Sequence, residues 1–286
     1  MIDLKSALEV ATATHPGMVR SHNEDSIAAD AEIGLAVLAD GMGGYNAGEV
    51  ASGIAVELIK VEMKKALAGK RPDELNGSNA EQLIAEHAVR ANSAIYQAAQ
   101  SQPQYSGMGT TLVVALWHDN HMSVGHIGDS RLYRLRGGTL EQVTRDHSLL
   151  QEQIDSGMIT KEQARHSQNK NLVTRAVGID PEVEPEIHTY PVQAGDVYVL
   201  CSDGLNDMVT DEDIELTLSS LQANLPLAAQ QLVQQACDNG GRDNVSVILV
   251  RIVKDFAART GFLDKLKSWF SRPATTEGAT TFQSFW

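Results

Sequence analysis

Residues 110–138 read "TTLVVALWHDNHMSVGHIGDSRLYRLRGG". Three short runs rich in apolar and β-branched residues follow one another here, at 110–117, 122–129 and 130–136, punctuated by Asp119-Asn120 and closed by Gly137-Gly138. Short runs of this kind joined by turn-forming pairs predict consecutive antiparallel strands. Working outward, Val50, Ile54, Leu58 and Val61 recur at helical spacing between Gly48 and Lys65, ahead of the breakers Gly69 and Pro72. A second helix is predicted from Asn79 to Gln100, with Leu83, Ile84, Val89, Ile95 and Tyr96 on its buried side. Two more apolar strands are expected at 196–202 and 244–251, with two helices between them, the first capped by Thr210 and Asp213. Residues 147–171 are polar and only weakly helical. Paired helices alternating with runs of strands define an α+β class, antiparallel sheets covered by helices, rather than a βαβ repeat.

Composition narrows the function. With 286 residues, 42% apolar and 5% aromatic, the chain can bury one sizeable core, so one large domain is expected. The 23 Lys and Arg against 37 Asp and Glu give a net charge of -14, which repels nucleic-acid phosphate and argues against a nucleic-acid partner. Cys201 and Cys237 lie far apart, outside any CxxC spacing, and suggest neither a disulfide framework nor a zinc cluster. The sequence shows no basic start followed by an apolar stretch, and no run of roughly 18 apolar residues. A soluble, cytoplasmic main body is the expectation.

The chemistry is carried by aspartates. An apolar strand ending on Asp flanked by Gly recurs as "VLADG" (Asp40), "HIGDS" (Asp129) and "LCSDG" (Asp203), and "GGRDN" sets Asp243 just before a strand. A single Asp-Gly pair is an ordinary turn. Repeated at strand ends, such carboxylates can converge on one point, and converging buried anions need cations to offset them. An all-oxygen donor set selects hard cations such as Mg²⁺ or Mn²⁺, and Gly41, lacking a Cβ, lets its own carbonyl come close to an ion. Upstream, in "VRSHNEDS", Arg20 precedes Glu24 and Asp25 and could clamp an oxyanion through its forked donors. Scattered turns and a surface Arg paired with an acid are the plainer alternatives.

Other motifs fail. The glycines at 41, 43, 44 and 48 miss the dinucleotide spacing, because Asn46 stands where the third glycine would be. Neither a phosphate-loop motif nor a GxSxG elbow is present. His118 and His121 have ligand-like spacing but bracket Asp119-Asn120, and are read as turn residues.

Taken in order, "VRSHNEDS", "VLADGMGG", "GMGTTLVVAL", "HIGDSRLYRLR", "DHSLLQEQIDSGMI", "LVTRAVG", "CSDGLNDMV" and "GGRDNVSVILV" resemble the motifs of the PP2C-type metal-dependent protein serine/threonine phosphatases, in particular the bacterial branch. The resemblance spans roughly residues 9–252. It implies an α-β-β-α sandwich, two antiparallel sheets between helix layers with the metal site at one edge. It also implies a phosphatase domain over 1–253 with a flap at about 147–171; beyond the resemblance, the residue pattern itself predicts an amphipathic helix at 254–272 and a Thr- and Ala-rich disordered tail at 273–286. Two tightly bound Mn²⁺ or Mg²⁺ ions are implied, with a third, weaker one in bacterial relatives. By the same resemblance Asp40 bridges two ions, Asp203 and Asp243 complete one site, and the Gly41 carbonyl with waters completes the other. Glu24 and Asp25 support the second ion, Asp129 joins Asp203 at the third, and Arg20 binds the substrate phosphate. Hydrolysis of phosphoserine or phosphothreonine would follow by direct attack of a metal-bridging hydroxide. The implied partners are a bacterial Ser/Thr kinase and its phosphorylated substrates.

Two positions depart from the family pattern. Met42 stands where eukaryotic members carry a histidine proposed to protonate the leaving oxygen, so the general acid is unassigned. His15, in "THPG", replaces the usual Asp, and a changed local hydrogen bond is the expected consequence. The competing functional class is a pseudophosphatase, a partner-binding module without catalysis; such members usually lose a metal aspartate, and here all are present. In "GFLDKLKSWFSR", Phe262, Leu263, Leu266, Trp269 and Phe270 oppose Lys265, Lys267 and Arg272. That pattern suits docking on a partner or on the inner membrane surface, or packing back on the domain.

Overall fold

The computed structural model describes residues 4–44, 47–70, 75–165, 167 and 172–257. A short helix α1 (Leu4–Ala7) leads into β1 (Leu8–His15), β2 (Asp25–Asp30) and β3 (Leu35–Met42). Two long helices, α2 (Ala47–Leu67) and α3 (Gly77–Ser101), precede β4 (Gly109–Thr110), β5 (Leu112–His118), β6 (His121–Ile127), β7 (Arg131–Arg136) and β8 (Thr139–Gln142). Within the expected flap lie α4 (Leu149–Asp155) and α5 (Lys161–Arg165), followed by β9 (Glu186–Pro191) and β10 (Val197–Cys201). Then come α6 (Asp203–Asn206), α7 (Asp211–Leu221), α8 (Leu225–Asp238) and β11 (Val245–Ile252).

The strands form two sheets, ordered β1-β11-β10-β7-β8 and β2-β3-β5-β6-β9, with β4 beside β3. Every pairing between named strands is antiparallel. This corrects one expectation. β5 and β6 do form a hairpin, Leu112↔Ile127 to His118↔His121, around a turn in which Asp119 and Asn120 have φ of 41° and 54°. Positive φ at both central residues is the type I′ geometry that Asx residues tolerate and that matches strand twist. The third run does not continue that meander. Gly128, at φ 101°, turns the chain out of the β2-β3-β5-β6-β9 sheet, and β7 pairs with β10 in the other. Sequence periodicity could not reveal the switch, because β5, β6 and β7 are all largely buried and their apolar residues do not report which neighbour they meet.

The layers follow from period-two alternation along the strands. On β3, Leu35, Val37 and Ala39 face α2 and α3, packing with Ile59, Met63, Ile84 and Ile95. The intervening Ala36 and Leu38 face the β1-β11-β10-β7-β8 sheet, in a core that includes Trp117, Tyr198, Ile248 and Val250. On the far side, Val197, Val199 and Leu249 lie under α7 and α8 with Leu218, Leu225 and Leu232. Fully burying each such side chain contributes about 1.5–3 kcal/mol, so each sheet is held from both faces. Trp117 and Tyr198 meet edge to face across the middle layer, 5.7 Å between ring centroids. α7 begins as expected: Thr210 accepts from the Asp213 amide at 3.2 Å and its hydroxyl donates to Asp213 Oδ2 at 3.0 Å.

Both cysteines are free and buried. No helix among the described residues is long and apolar enough to cross a membrane. Residues 254–257 are described and not helical, with Phe256 buried. The remainder of the expected C-terminal helix and the expected tail lie outside the described residues, as do 166 and 168–171 of the flap.

Candidate metal centre and phosphate site

The sequence-predicted site residues come from segments far apart in the chain. Glu24 immediately precedes β2, Asp25 opens it, and antiparallel pairing sets Asp25 opposite Asp40 near the end of β3. Asp129 follows β6 after Gly128, Asp203 opens α6 directly after β10, and Asp243 stands just before β11. Arg20 lies in the loop between β1 and β2 and donates from Nη2 to Asp243 Oδ2 at 2.7 Å.

These positions form one electrostatic group. Burial pushes the Asp40 carboxyl well above the usual carboxylate range, and the negative charges of Asp25, Asp203, Asp129 and Asp243 push it further. Asp203 is raised in the same way, by burial first and then by Asp129, Asp207, Asp243 and Asp25. Asp25 and Asp129 are each pushed up to about 6, again chiefly by burial. Burial also raises Glu24, against the opposing pull of the Arg20 charge. A cluster of carboxylates so disfavoured as anions needs cations beyond those that Arg20 brings to Glu24 and Arg131 to Asp129.

The backbone around the cluster is tight. A Cβ on Gly41 would lie 2.1 Å from Gly48 O and 2.6 Å from Glu24 O, and one on Gly48 would lie 2.7 Å from Gly41 C. Glycine at 41 and 48 is therefore required by the close approach of three backbone segments. Gly41 N–H donates to Glu24 O at 3.1 Å, tying the start of β2 to β3.

Several supporting residues were not predicted. Thr111 accepts from the Asp40 amide through Oγ1 at 3.0 Å, donates its own amide to Asp40 O at 2.8 Å, and shares a 2.7 Å hydroxyl contact with Ser130 beside Asp129. Ser202 Oγ donates to Asp25 Oδ2 at 2.7 Å. Asn244 accepts from the Glu24 amide at 2.8 Å and donates to the carbonyls of Pro16 and His22 at 3.0 and 2.8 Å, lacing the Arg20 loop to β11. Ser202 and Asn244 stand beside aspartates in their motifs and Thr111 in "GMGTTLVVAL", but hydroxyl and amide side chains in a turn read as ordinary turn chemistry. His15 caps its own turn: its Nδ1 accepts from the Gly17 amide at 3.0 Å and lies 3.3 Å from Cys237 Sγ. His118 and His121 bond within their hairpin, to Ser123 Oγ and Asp119 O.

The residues fit divalent ions. Asp25 Oδ1 is buried with no hydrogen-bond partner, in a cluster whose other side chains are themselves carboxylates. An unsatisfied buried anionic oxygen is costly in a finished protein interior but is what a hard cation seeks. Beside the cluster, a cavity of about 310 Å³ runs between the flap and α6, lined in part by Asp129, Asp203, Leu150, Ile154 and Met208.

Two antiparallel sheets between helix layers thus gather buried carboxylates, with Arg20 half exposed beside them, into a centre suited to divalent ions. Residues 18–237 match the family described as protein phosphatase 2C. A serine/threonine protein phosphatase of Mycobacterium tuberculosis, PstP, is 43% identical over 248 residues, which are 86% of this chain and 45% of that protein. The chain thus spans about half the length of that relative. The serine/threonine phosphatase stp of Listeria welshimeri is 37% identical over 240 residues, 83% of this chain and 93% of its own. The crystal structure of the catalytic domain of PstP in complex with two manganese ions superposes with a TM-score of 0.76 at 38% identity, covering 86% of this chain and 99% of that one. This chain belongs to the protein phosphatase 2C family of serine/threonine protein phosphatases.

Proposed function

We propose that this chain hydrolyses phosphoserine and phosphothreonine in proteins by direct attack of water on phosphorus, with divalent ions held by its strand-end carboxylates. The carrying observation is the cluster of Asp25, Asp40, Asp129 and Asp203, each raised chiefly by burial, with Asp25 Oδ1 unpartnered. Asp40, Asp203, Asp243 and the Gly41 carbonyl would hold two Mn²⁺ or Mg²⁺ ions, supported by Glu24 and Asp25. Asp129 with Asp203 would hold a third. When bound, such ions lower the pKa of water towards neutrality and offset the carboxylate charge.

The chain's own residues do the rest. Arg20 is fixed by its Nη2 bond to Asp243 while its side chain stays 53% exposed, so its planar fork can meet phosphate oxygens at the mouth of the site. Thr111 and Asn244 hold Asp40 and the Arg20 loop in place, which keeps the reacting groups oriented. Met42, last in β3, carries no proton donor, so the leaving oxygen takes its proton from another source. The retained aspartates favour catalysis over a partner-binding pseudophosphatase. The physiological substrates proposed are a Ser/Thr kinase and the proteins it phosphorylates, and the place of action is the cytoplasm.

The test is phosphate release from a phosphothreonine peptide by the full chain, stripped of metal and then titrated with Mn²⁺. Release only with metal is expected, and no release at saturating Mn²⁺ would replace catalysis with the pseudophosphatase reading. Acid quenching during turnover of a ³²P-labelled peptide should leave the protein unlabelled; label on the protein would overturn direct attack. The kinase assignment predicts a rise in phosphoserine and phosphothreonine when the gene is deleted, and an unchanged phosphoproteome would remove it.

A further inference from the structure

A second polar cluster lies outside the carboxylate group. His126, on β6, stands opposite Glu186, on β9, in the strand register, and His147 follows β8. Their donor atoms lie within 4.8 Å of one another, a spacing that suits a metal ion. The hydrogen bonds argue otherwise. His147 Nδ1 accepts from the Gly128 amide at 3.2 Å, so in the neutral ring the proton sits on Nε2, which faces Glu186 Oε2 at 3.4 Å. That nitrogen has no lone pair for a cation. His126 Nε2 donates to Arg145 O at 2.7 Å, and its ring stacks on that of His147 with centroids 4.7 Å apart. Burial lowers both imidazoles below the usual histidine range, which keeps them neutral and keeps Nδ1 of His147 an acceptor.

What His147 holds is the turn that presents Asp129. Its side chain takes the Gly128 amide, and its own backbone N–H donates to Gly128 O at 2.9 Å. The peptide units on both sides of Gly128 are thereby fixed by one residue, and the second of them contains the Asp129 nitrogen. Gly128 holds a φ of 101°, open to glycine but rarely to residues with a side chain, and it packs against Thr111, whose Cβ would lie 2.8 Å from a Cβ at position 128; its backbone N–H and C=O are both taken by His147. His147 is also where the flap is rooted. Its carbonyl accepts from the Thr174 amide at 2.8 Å, Leu149 N–H donates to Leu172 O at 2.9 Å, and Ser148 bridges Val173. The two ends of the flap and the Asp129 turn therefore meet at His147, the flap through backbone hydrogen bonds and the turn through both the backbone and the imidazole.

We propose that His147, oriented by Glu186 and backed by His126, is a positioning residue that sets where Asp129 presents its carboxylate and joins the flap root to the ion that Asp129 holds. The inference rests on the reading of Asp129 as a ligand of the third, weaker ion. Outer groups that orient a ligand are typically worth 10–100-fold in metal affinity.

Isosteric substitutions in the full chain separate the two nitrogens. His147→Asn puts an amide oxygen where Nδ1 accepts, His147→Gln puts its amide near Nε2 and leaves Gly128 without an acceptor, and His147→Phe keeps the stacked ring with neither. Two measurements are made: amide hydrogen exchange at Gly128 in the metal-free protein, and calorimetric titration with Mn²⁺. The expected result is faster exchange at Gly128 and about tenfold weaker binding at the weakest Mn²⁺ site in the Gln and Phe variants, with both restored in the Asn variant. Should the Phe variant fail to fold, the Gln variant carries the same comparison. Wild-type Mn²⁺ binding in the Gln variant, or an Asn variant no better than it, would overturn the positioning role. Asp129→Ala distinguishes the two failures. If it abolishes the weak binding event while His147→Gln does not, the positioning inference alone fails; if it leaves every event intact, Asp129 is not a ligand and both fall.

Discussion

Strand β10 carries an aspartate at each end, Asp196 just before it and Asp203 just after it, and the two are treated in opposite ways. Asp196 is 1% exposed and fully provided for: Arg136 binds it through Nε and Nη2 at 2.7 and 2.6 Å, the Gln193 amide donates at 2.8 Å, and Tyr198 OH at 3.2 Å. Asp203 sits among other carboxylates, and the arginines beside the group are already committed, Arg20 to Asp243 and Arg131 to Asp146. The same residue type thus closes one end of the sandwich and leaves the other end needing cations. Satisfied buried charge builds structure, whereas charge left unsatisfied in a preorganised frame is available for ions and substrate.

Substitution breaks this contrast most sharply at its open end. Asp203→Ala should lower Mn²⁺-dependent kcat/KM by about a thousandfold or more, since metal sites supply several kcal/mol of transition-state stabilisation. Its thermal stability in the absence of metal should be unchanged or higher, because it removes repulsion. Arg20→Ala comes next, with kcat/KM lower by about 10–100-fold through lost charge-assisted contacts to phosphate and with metal affinity changed far less. At the closed end, Asp196→Ala should cost about 2 kcal/mol in denaturant unfolding, below the usual penalty for a broken buried pair because Arg136 is 28% exposed and can turn to water. Activity per folded molecule should persist. An Asp196 variant that lost activity while staying folded would erase the distinction between the two ends.

The smallest effect is on pH dependence. Asp25 and Asp129 are pushed up to about 6 in the folded chain, above their value in the unfolded chain. Between the unfolded value and about 6 the folded state holds protons that the unfolded state has released, so stability falls as pH rises through that window, and Asp40 and Asp203, raised well above the usual range, carry the same trend to higher pH. Metal-free protein should therefore melt a few degrees higher near pH 4.5 than near pH 7, a difference within reach of linkage from two groups. Saturating Mn²⁺ should reverse the trend, because ion binding requires the deprotonated carboxylates. A flat profile for the metal-free protein would mean that the cluster is better solvated than its burial implies.

The strands that the sequence revealed and those it hid divide along a physical line. Strands at 110–117, 122–129, 130–136, 196–202 and 244–251, and the run ending on Asp40, all correspond to interior members of the two sheets. The unread strands β1, β2, β8 and β9 are the four edges. An edge strand is paired on one side only and partly exposed, so "DSIAAD" and "TLEQ" never acquire the apolar density of "LVVALWH". Both long helices fall within two residues of their expected limits, but their buried faces differ in part from the expected stripes: Val61 and Val89 are exposed, and α2 buries Ala51, Ala55, Val56, Ile59 and Met63 instead.

By itself the sequence determined the apolar, β-branched runs that become the central strands, the helices that cover them, and the recurrence of Asp beside Gly where apolar runs stop. These are local properties, written in residue type and spacing. Only the tertiary structure decided that β7 leaves its hairpin for the other sheet, that Asp203 joins a shared centre while Asp196 finds an arginine, and that Thr111, Asn244 and His147 hold the centre in place. Those outcomes depend on hydrogen bonds between residues 19 to 220 positions apart, and on which strand lies beside which. A side chain's charge can be read from its letter, but whether that charge is answered depends on neighbours that the fold alone supplies.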